Sequence, residues 1–96
     1  MQTRKIVINT CWGGFSLSDK AIGLYAGLTN QVFDHVSVWD MERDDPMLVR
    51  VVETLGEAAN GDHARLKVVE IPADVKWEIG EYDGMEHVAE KHRVWH

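Results

Sequence analysis

KIVINTCWGGFSLS, residues 5–18, is the most informative stretch of this chain. Its first half is short, rich in β-branched residues and apolar on both faces, which is typical of a central strand covered on two sides. The pair Gly13–Gly14 then predicts a tight turn, and the hydroxyl of Ser16 or of Ser18 caps the helix that follows. The stretch therefore predicts a buried strand that turns directly into a helix.

Hydrophobic periodicity and turn residues predict the elements in the middle of the chain. A weaker strand is expected over His35–Asp40, whose valines alternate with polar neighbours. Asp45 and Pro46 are typical of a helix start, because aspartate caps the first turn and proline suits the first helical position. The apolar positions of this second helix continue at helical spacing, and Asn60–Gly61 is expected to end it.

Three strands are expected in the last third of the chain. One covers Ala64–Ile71, and another runs from Val75 to a hairpin turn at Asp83–Gly84. Met85–Trp95 is read as the second hairpin strand, although the same residues also form a helical stripe. The predicted order is β-α-β-α-β-β-β, which makes residues 1–96 a single α/β domain, a small two-layer sandwich with a mixed β-sheet and two helices.

The charge balance and the single cysteine argue against several classes of protein. Among 96 residues, ten basic and sixteen acidic side chains give a formal net charge of -6. This balance argues against wrapping duplex nucleic acid or lying on an anionic membrane, because both need a basic surface. Cys11 has no partner for an internal disulfide, and no segment reads as a signal peptide or as the roughly 20 apolar residues of a membrane span. We expect a folded cytoplasmic protein.

Several short motifs together carry a resemblance to a known family. They are INTCWGGFSLS (8–18), RDDP (43–46), VVEIP (68–72), EYDG (81–84) and EKHRVW (90–95). With them the chain resembles a family of small uncharacterised proteins of bacteria and of the phages and prophages that infect them. The resemblance implies a compact single domain and a phage origin, and it supplies no catalytic residue.

The loop from Thr10 to Ser18 is the strongest candidate binding site. Free N–H groups and the helix dipole at a helix N-terminus attract anions, and glycines allow close backbone approach. Aromatic rings in the loop can stack on a base, and its hydroxyls can bind phosphate oxygens. The candidate ligand-binding residues are Thr10, Cys11, Trp12, Gly13, Gly14, Phe15, Ser16 and Ser18. Because the loop lacks the lysine of a P-loop and the third glycine of a dinucleotide fingerprint, a purely structural turn is the alternative.

Cysteine chemistry is the competing hypothesis for the same loop. Cys11 follows a strand and precedes a helix N-terminus, a position that can lower a thiol pKa. A hydrolase would also need a histidine in space. His35, His63, His87 and His92 are all available, and His92 is our candidate, whereas a buried, inert cysteine is the simpler interpretation. Histidines and carboxylates near the end of the chain lack metal-site spacing, so we expect neither a metal ion nor a cofactor.

Two functions of different classes follow from these observations. The first is a non-catalytic, phage-encoded binding protein that sequesters a nucleotide-like anionic ligand or occludes a host defence protein. The alternative is a small cysteine-dependent hydrolase or transferase that uses Cys11 and a histidine. Trp39 and Trp95 lie among polar residues near expected strand ends, which favours a role in an interface and predicts a homo-oligomer.

Overall fold

A computed structural model of the protein describes residues 2–90. Its strands and helices are β1 (Thr3–Asn9), α1 (Asp19–Thr29), α2 (Pro46–Leu55), β2 (Leu66–Pro72), β3 (Trp77–Tyr82) and β4 (Met85–Glu90), with short 3-10 helices at Ser37–Asp40 and Gly56–Ala59. The predicted α/β class with two helices is confirmed. No helix in this part of the chain is both long and apolar enough to cross a membrane.

The strands form two antiparallel pairs. β1 pairs with β2, where Val7 lies opposite Val68, and β3 pairs with β4. The expected single mixed sheet is therefore replaced by two small sheets within residues 2–90. The reason is that the segment predicted as the second strand is not extended, so β1 has no parallel neighbour there.

The segment predicted as a strand over His35–Asp40 is instead a turn followed by the 3-10 helix Ser37–Asp40. The Asp34 carboxylate accepts hydrogen bonds from the backbone N–H of Ser37 at 3.0 Å and from its hydroxyl at 2.9 Å. A side chain that bonds the backbone three residues ahead stabilises a turn at the expense of a strand. Val38 is buried, while Val36 and Trp39 are exposed.

The main core lies between the two helices and one face of the β1–β2 sheet. Val7 of β1 contacts this core from the sheet, with Leu66 and Val68 of β2 packed at its margin. From the helices it contains Ala21, Ile22, Tyr25, Leu48, Val49, Val51 and Val52. The opposite side of β1 is covered as well, since Ile6 is 0% exposed and β4 lies against β1. The prediction that the first strand is covered on two sides is thus confirmed, but β1 is one of two strands in its sheet rather than a central strand.

Both helices begin at side-chain caps. Ser18, the second of the two predicted candidates, accepts a hydrogen bond from the N–H of Ala21 at 3.1 Å. Asp45 caps α2, and Pro46 occupies its first position as predicted. The Tyr25 hydroxyl donates to the Asp45 carboxylate at 2.5 Å, which links α1 to the start of α2.

The end of α2 differs from the prediction. The helix stops at Gly56, which has a φ of 57°, and a 3-10 turn follows. Asn60 has a φ of -69° and is therefore not a left-handed terminus. Its side chain accepts a hydrogen bond from the N–H of Leu66 at 2.8 Å instead, so Asn60 supports the start of β2 rather than the end of α2.

The β3–β4 hairpin confirms the predicted Asp83–Gly84 turn. Asp83 and Gly84 have φ values of 53° and 83°, and two consecutive positive φ values are typical of a two-residue hairpin turn. The strand interpretation of Met85–Trp95 is confirmed as far as Glu90, and its remaining residues lie outside the described part of the chain. Across the ladder, the His87 ring covers Gly80, where any side chain would overlap it.

Candidate functional site

A buried asparagine at the end of β1 organises the region around the loop of residues 10–18, which we call the glycine loop. The Asn9 side chain is 0% exposed, and its oxygen accepts from the N–H groups of Cys11 at 3.1 Å and Arg65 at 2.9 Å. Its amide donates to the carbonyls of Cys11 at 2.6 Å and Gly84 at 2.8 Å. One side chain therefore ties together the loop after β1, the chain just before β2 and the hairpin turn.

An ion pair between Arg43 and Glu86 is the second contact that connects the hairpin to β1. The guanidinium binds the carboxylate in bidentate fashion, at 2.6 and 2.9 Å, and the side chains are only 21% and 10% exposed. Glu86 also accepts from the N–H of Asn9 at 2.8 Å. The Arg43 Cζ lies 3.6 Å from the centre of the Phe15 ring. The Arg43 carbonyl accepts a hydrogen bond from the backbone N–H of Val7. This pair fixes the hairpin to the edge of β1 and to the glycine loop.

The first two residues of the predicted binding loop are anchored through their backbone. Thr10 donates to the Arg65 carbonyl from its N–H at 2.7 Å and from its hydroxyl at 2.9 Å. Cys11 is half-buried and forms both of its backbone hydrogen bonds with Asn9. His92, the proposed partner of this thiol, lies outside the described residues.

The glycines are required by the packing of the chain itself. The Gly13 N–H donates to the His63 carbonyl at 3.1 Å, and a Cβ at this position would overlap His63. Gly14 has a φ of 87°, which favours glycine. Trp12 is 65% exposed and packs against the His63 ring at 5.0 Å between ring centres. The close approach that we expected toward a ligand is thus made toward the segment before β2.

The two serine hydroxyls of the loop are also engaged within the protein. Ser18 donates from its hydroxyl to the Ala58 carbonyl at 2.5 Å while it caps α1, and its N–H donates to Ala59. The Ser16 hydroxyl donates to the Asp62 carbonyl at 3.5 Å. Because β2 runs antiparallel to β1, the chain that leads into β2 lies against this loop and satisfies groups that we had assigned to phosphate.

Two clefts open on either side of Trp39. The loop cleft, about 530 Å³, is lined among others by Ser16, Ser18, Asp19, His35 and Asp62. The hairpin cleft, about 350 Å³, is lined by Gly13, Gly14, Phe15, Arg43, Glu81, Gly84 and Glu86. Trp39 lines both, and its side chain is 80% exposed. Phe15 and Gly13 of the predicted loop are likewise shared by the two clefts.

Carboxylates dominate the charge of both clefts. In the hairpin cleft Arg43 is paired with Glu86, so Glu81 adds an uncompensated negative charge. In the loop cleft the His35 ring lies 2.7 Å from the Asp19 carboxylate, and Asp62 adds a second acid. An anionic ligand would meet like charges on both sides of Trp39, whereas a cationic group would be attracted.

Part of this site is predictable from the sequence. The sequence predicts Trp39 at an interface, and it gives the carboxylates near the end of the chain, Glu86 among them, no role. The roles of Arg43 and Glu81 were missed, although the Asp83–Gly84 turn places Glu81 directly opposite Glu86 and could have revealed that pair. Within residues 2–90 no three His, Cys, Asp or Glu side chains converge on a position that would hold a metal ion.

Comparisons with known proteins found no family model, no curated protein and no solved structure that matches this chain. The resemblance to small bacterial and phage proteins therefore stays a prediction. The candidate site rests on the geometry of this chain alone.

Proposed function

We propose that this protein is a non-catalytic binding protein that occludes a surface of another protein, with Trp39 at the centre of the contact. The observation that carries the proposal is a tryptophan 80% exposed between two clefts. Tryptophan is among the residues that contribute most to protein interfaces, where a few aromatic anchors supply most of the binding energy.

The framework beneath Trp39 supports this proposal. Phe15 and Arg43 line the hairpin cleft beside it and are held in place by the Arg43–Glu86 pair. Asn9 fixes the glycine loop and the hairpin turn in the same region. A surface that is already ordered loses little conformational entropy on binding, so more of the contact energy appears as affinity.

Further exposed apolar side chains extend the surface. Val36 is 65% exposed and stands three residues before Trp39, and residues at this spacing share a face of a 3-10 turn. Trp12, also 65% exposed, belongs to the loop that lines both clefts. Exposed apolar residues grouped in this way are typical of protein interaction sites.

A nucleotide-like ligand in the loop cleft is the second candidate function. The cleft volume of about 530 Å³ lies in the usual range of small-molecule sites. Four of the candidate ligand-binding residues line it, namely Gly13, Phe15, Ser16 and Ser18. The carboxylates of Asp19 and Asp62 favour the first candidate over this one. Native mass spectrometry with mono-, cyclic and dinucleotides tests it, because a retained adduct of nucleotide mass would support it and bare protein with the whole panel would refute it.

The resemblance to phage and prophage proteins supports a more specific form of the proposal. In that form the protein is phage-encoded, acts in the cytoplasm of the host and occludes a host defence protein. A homo-oligomer formed through Trp39 is a competing proposal for the same surface. The cysteine-hydrolase alternative rests on Cys11, which is half-buried, and on His92, which lies outside residues 2–90.

Site-specific photo-crosslinking tests the proposed function. A photoreactive phenylalanine analogue replaces Trp39 in one variant and Val32, which is 98% exposed, in a control variant. In a bacterial lysate we expect a discrete adduct with another protein from position 39, competed by added wild-type protein and not by Trp39→Ala. Equal adducts from both positions, or adducts only between two copies of this chain, would overturn the proposal.

A further inference from the structure

We infer that the partner presents basic side chains on both sides of Trp39, with an arginine bound at Glu81 in the hairpin cleft. This inference rests on the proposed function and assigns the chemistry of its partner. It is carried by the pairing of charges inside the two clefts and by the exposure of Trp39, whereas Phe15, the other aromatic residue of the hairpin cleft, already contacts Arg43.

The hairpin cleft holds one more acid than base. Arg43 is bound by both oxygens of Glu86, and the same carboxylate accepts from Asn9, so neither charge is free for a ligand. Glu81 lies directly opposite Glu86 across the β3–β4 ladder and is exposed. Among residues 2–90 no lysine or arginine forms an ion pair with Glu81. Two facing acids repel each other, and a cation beside Glu81 relieves that repulsion.

The aromatic residues of this cleft are not equivalent. Phe15 already has the Arg43 guanidinium over its ring at 3.6 Å. Trp39, by contrast, is exposed, and its indole is the strongest aromatic partner for a cation. Arginine suits this combination best, because its planar guanidinium stacks on an aromatic face while its N–H groups bind a carboxylate.

The loop cleft, on the other side of Trp39, is also rich in negative charge. Asp19 and Asp62 line it, and His35 is its one basic ring. A basic segment that crosses Trp39 therefore meets carboxylates before and after the indole. The net charge of -6 adds a long-range attraction that speeds the encounter with such a partner.

A synthetic peptide of four Gly-Arg repeats is the probe for the test. The full chain is labelled with 15N and titrated at low salt, and the Trp39 indole signal is assigned by its loss in Trp39→Phe. We expect saturable shifts of that signal and of the Gly13 and Gly14 amides. A peptide with citrulline in place of arginine keeps the shape and removes the charge, and it should not bind.

Two matched variants test the position of the bound arginine. Glu81→Gln should weaken binding by about three- to fivefold, as expected for one exposed ion pair. Glu78→Gln makes the same change of charge on the same strand, but residue 78 is exposed on the opposite face of β3 and should leave affinity almost unchanged. Equal effects of the two variants, or equal binding of the citrulline peptide, would overturn the inference.

The outcomes separate this inference from the proposed function. A cross-link from position 39 with no binding of the arginine peptide overturns the basic partner and leaves the binding function standing. Binding of the peptide at Trp39 without any cross-linked partner protein supports the cation site and overturns the proposed function.

Discussion

Replacing Glu86 by alanine leaves the Arg43 guanidinium, 21% exposed, without its carboxylate, and the Asn9 N–H loses its acceptor. Breaking a buried pair in this way costs about 3–5 kcal/mol, and we expect about 3 kcal/mol because Arg43 keeps some contact with water. For a domain of this size that corresponds to a fall in Tm of roughly 12–24 °C. Urea denaturation followed by circular dichroism measures the change in the free energy of unfolding.

The chain offers a matched control for this loss. Lys5 and Glu53 form an ion pair at 2.9 Å, a distance similar to that of the Arg43–Glu86 pair, but their side chains are 43% and 47% exposed. Because water screens such a pair, Glu53→Ala should lower the free energy of unfolding far less than Glu86→Ala does. Similar losses for Glu86→Ala and Glu53→Ala would refute the reasoning, since burial and the bond to Asn9 would then contribute nothing.

Three further predictions concern the hairpin turn, the contact between the helices and the thiol. In urea denaturation, Gly84→Ala should lower the free energy of unfolding more than Gly14→Ala does. Both positions have positive φ, but only at Gly84 would a Cβ overlap neighbouring backbone. Equal losses in the two variants would contradict this. Burial, followed by the hydrogen bond to Asp45, raises the pKa of Tyr25 to about 12. The stability that this raised pKa gives is present below pH 10 and is lost as the pH rises toward 12. At pH 7 the free energies of unfolding of the wild type and Tyr25→Phe should differ by about 1.5–3 kcal/mol. Between pH 10 and pH 12 the two values should converge. Cys11→Ser should leave the cross-link from position 39 intact, and its loss would favour thiol chemistry instead.

Elements with local signals were predicted well. The start of α2 needs only Asp45 and Pro46, and the hairpin needs only Asp83–Gly84, so neighbouring residues were sufficient. The strand predicted over His35–Asp40 was wrong because alternating valines were weighed above Asp34, whose carboxylate bonds the backbone of Ser37. The direction of pairing between β1 and β2 depends on the whole intervening chain, and no local pattern could give it.

The candidate site was harder to predict for the same reason. The turn from β1 into α1 and the cap at Ser18 were expected, but the segment that covers the loop comes from residues 58–63. Arg43 and Glu86 are separated by 43 positions in the sequence, and nothing near either residue indicates the other. Local signals thus located the loop, whereas the charge of its clefts emerged only from long-range contacts.

Different residues stabilise the site and form its exposed contact surface. Asn9 is buried and the Glu86 side chain is only 10% exposed, and their replacement is expected to lower the stability of the whole domain. Trp39 and Glu81 are exposed, and changes at exposed positions usually alter stability by less than about 0.5 kcal/mol. A loss of binding in a Trp39 or Glu81 variant that keeps the wild-type unfolding curve therefore reports the contact itself, which is why both tests of function use these two positions.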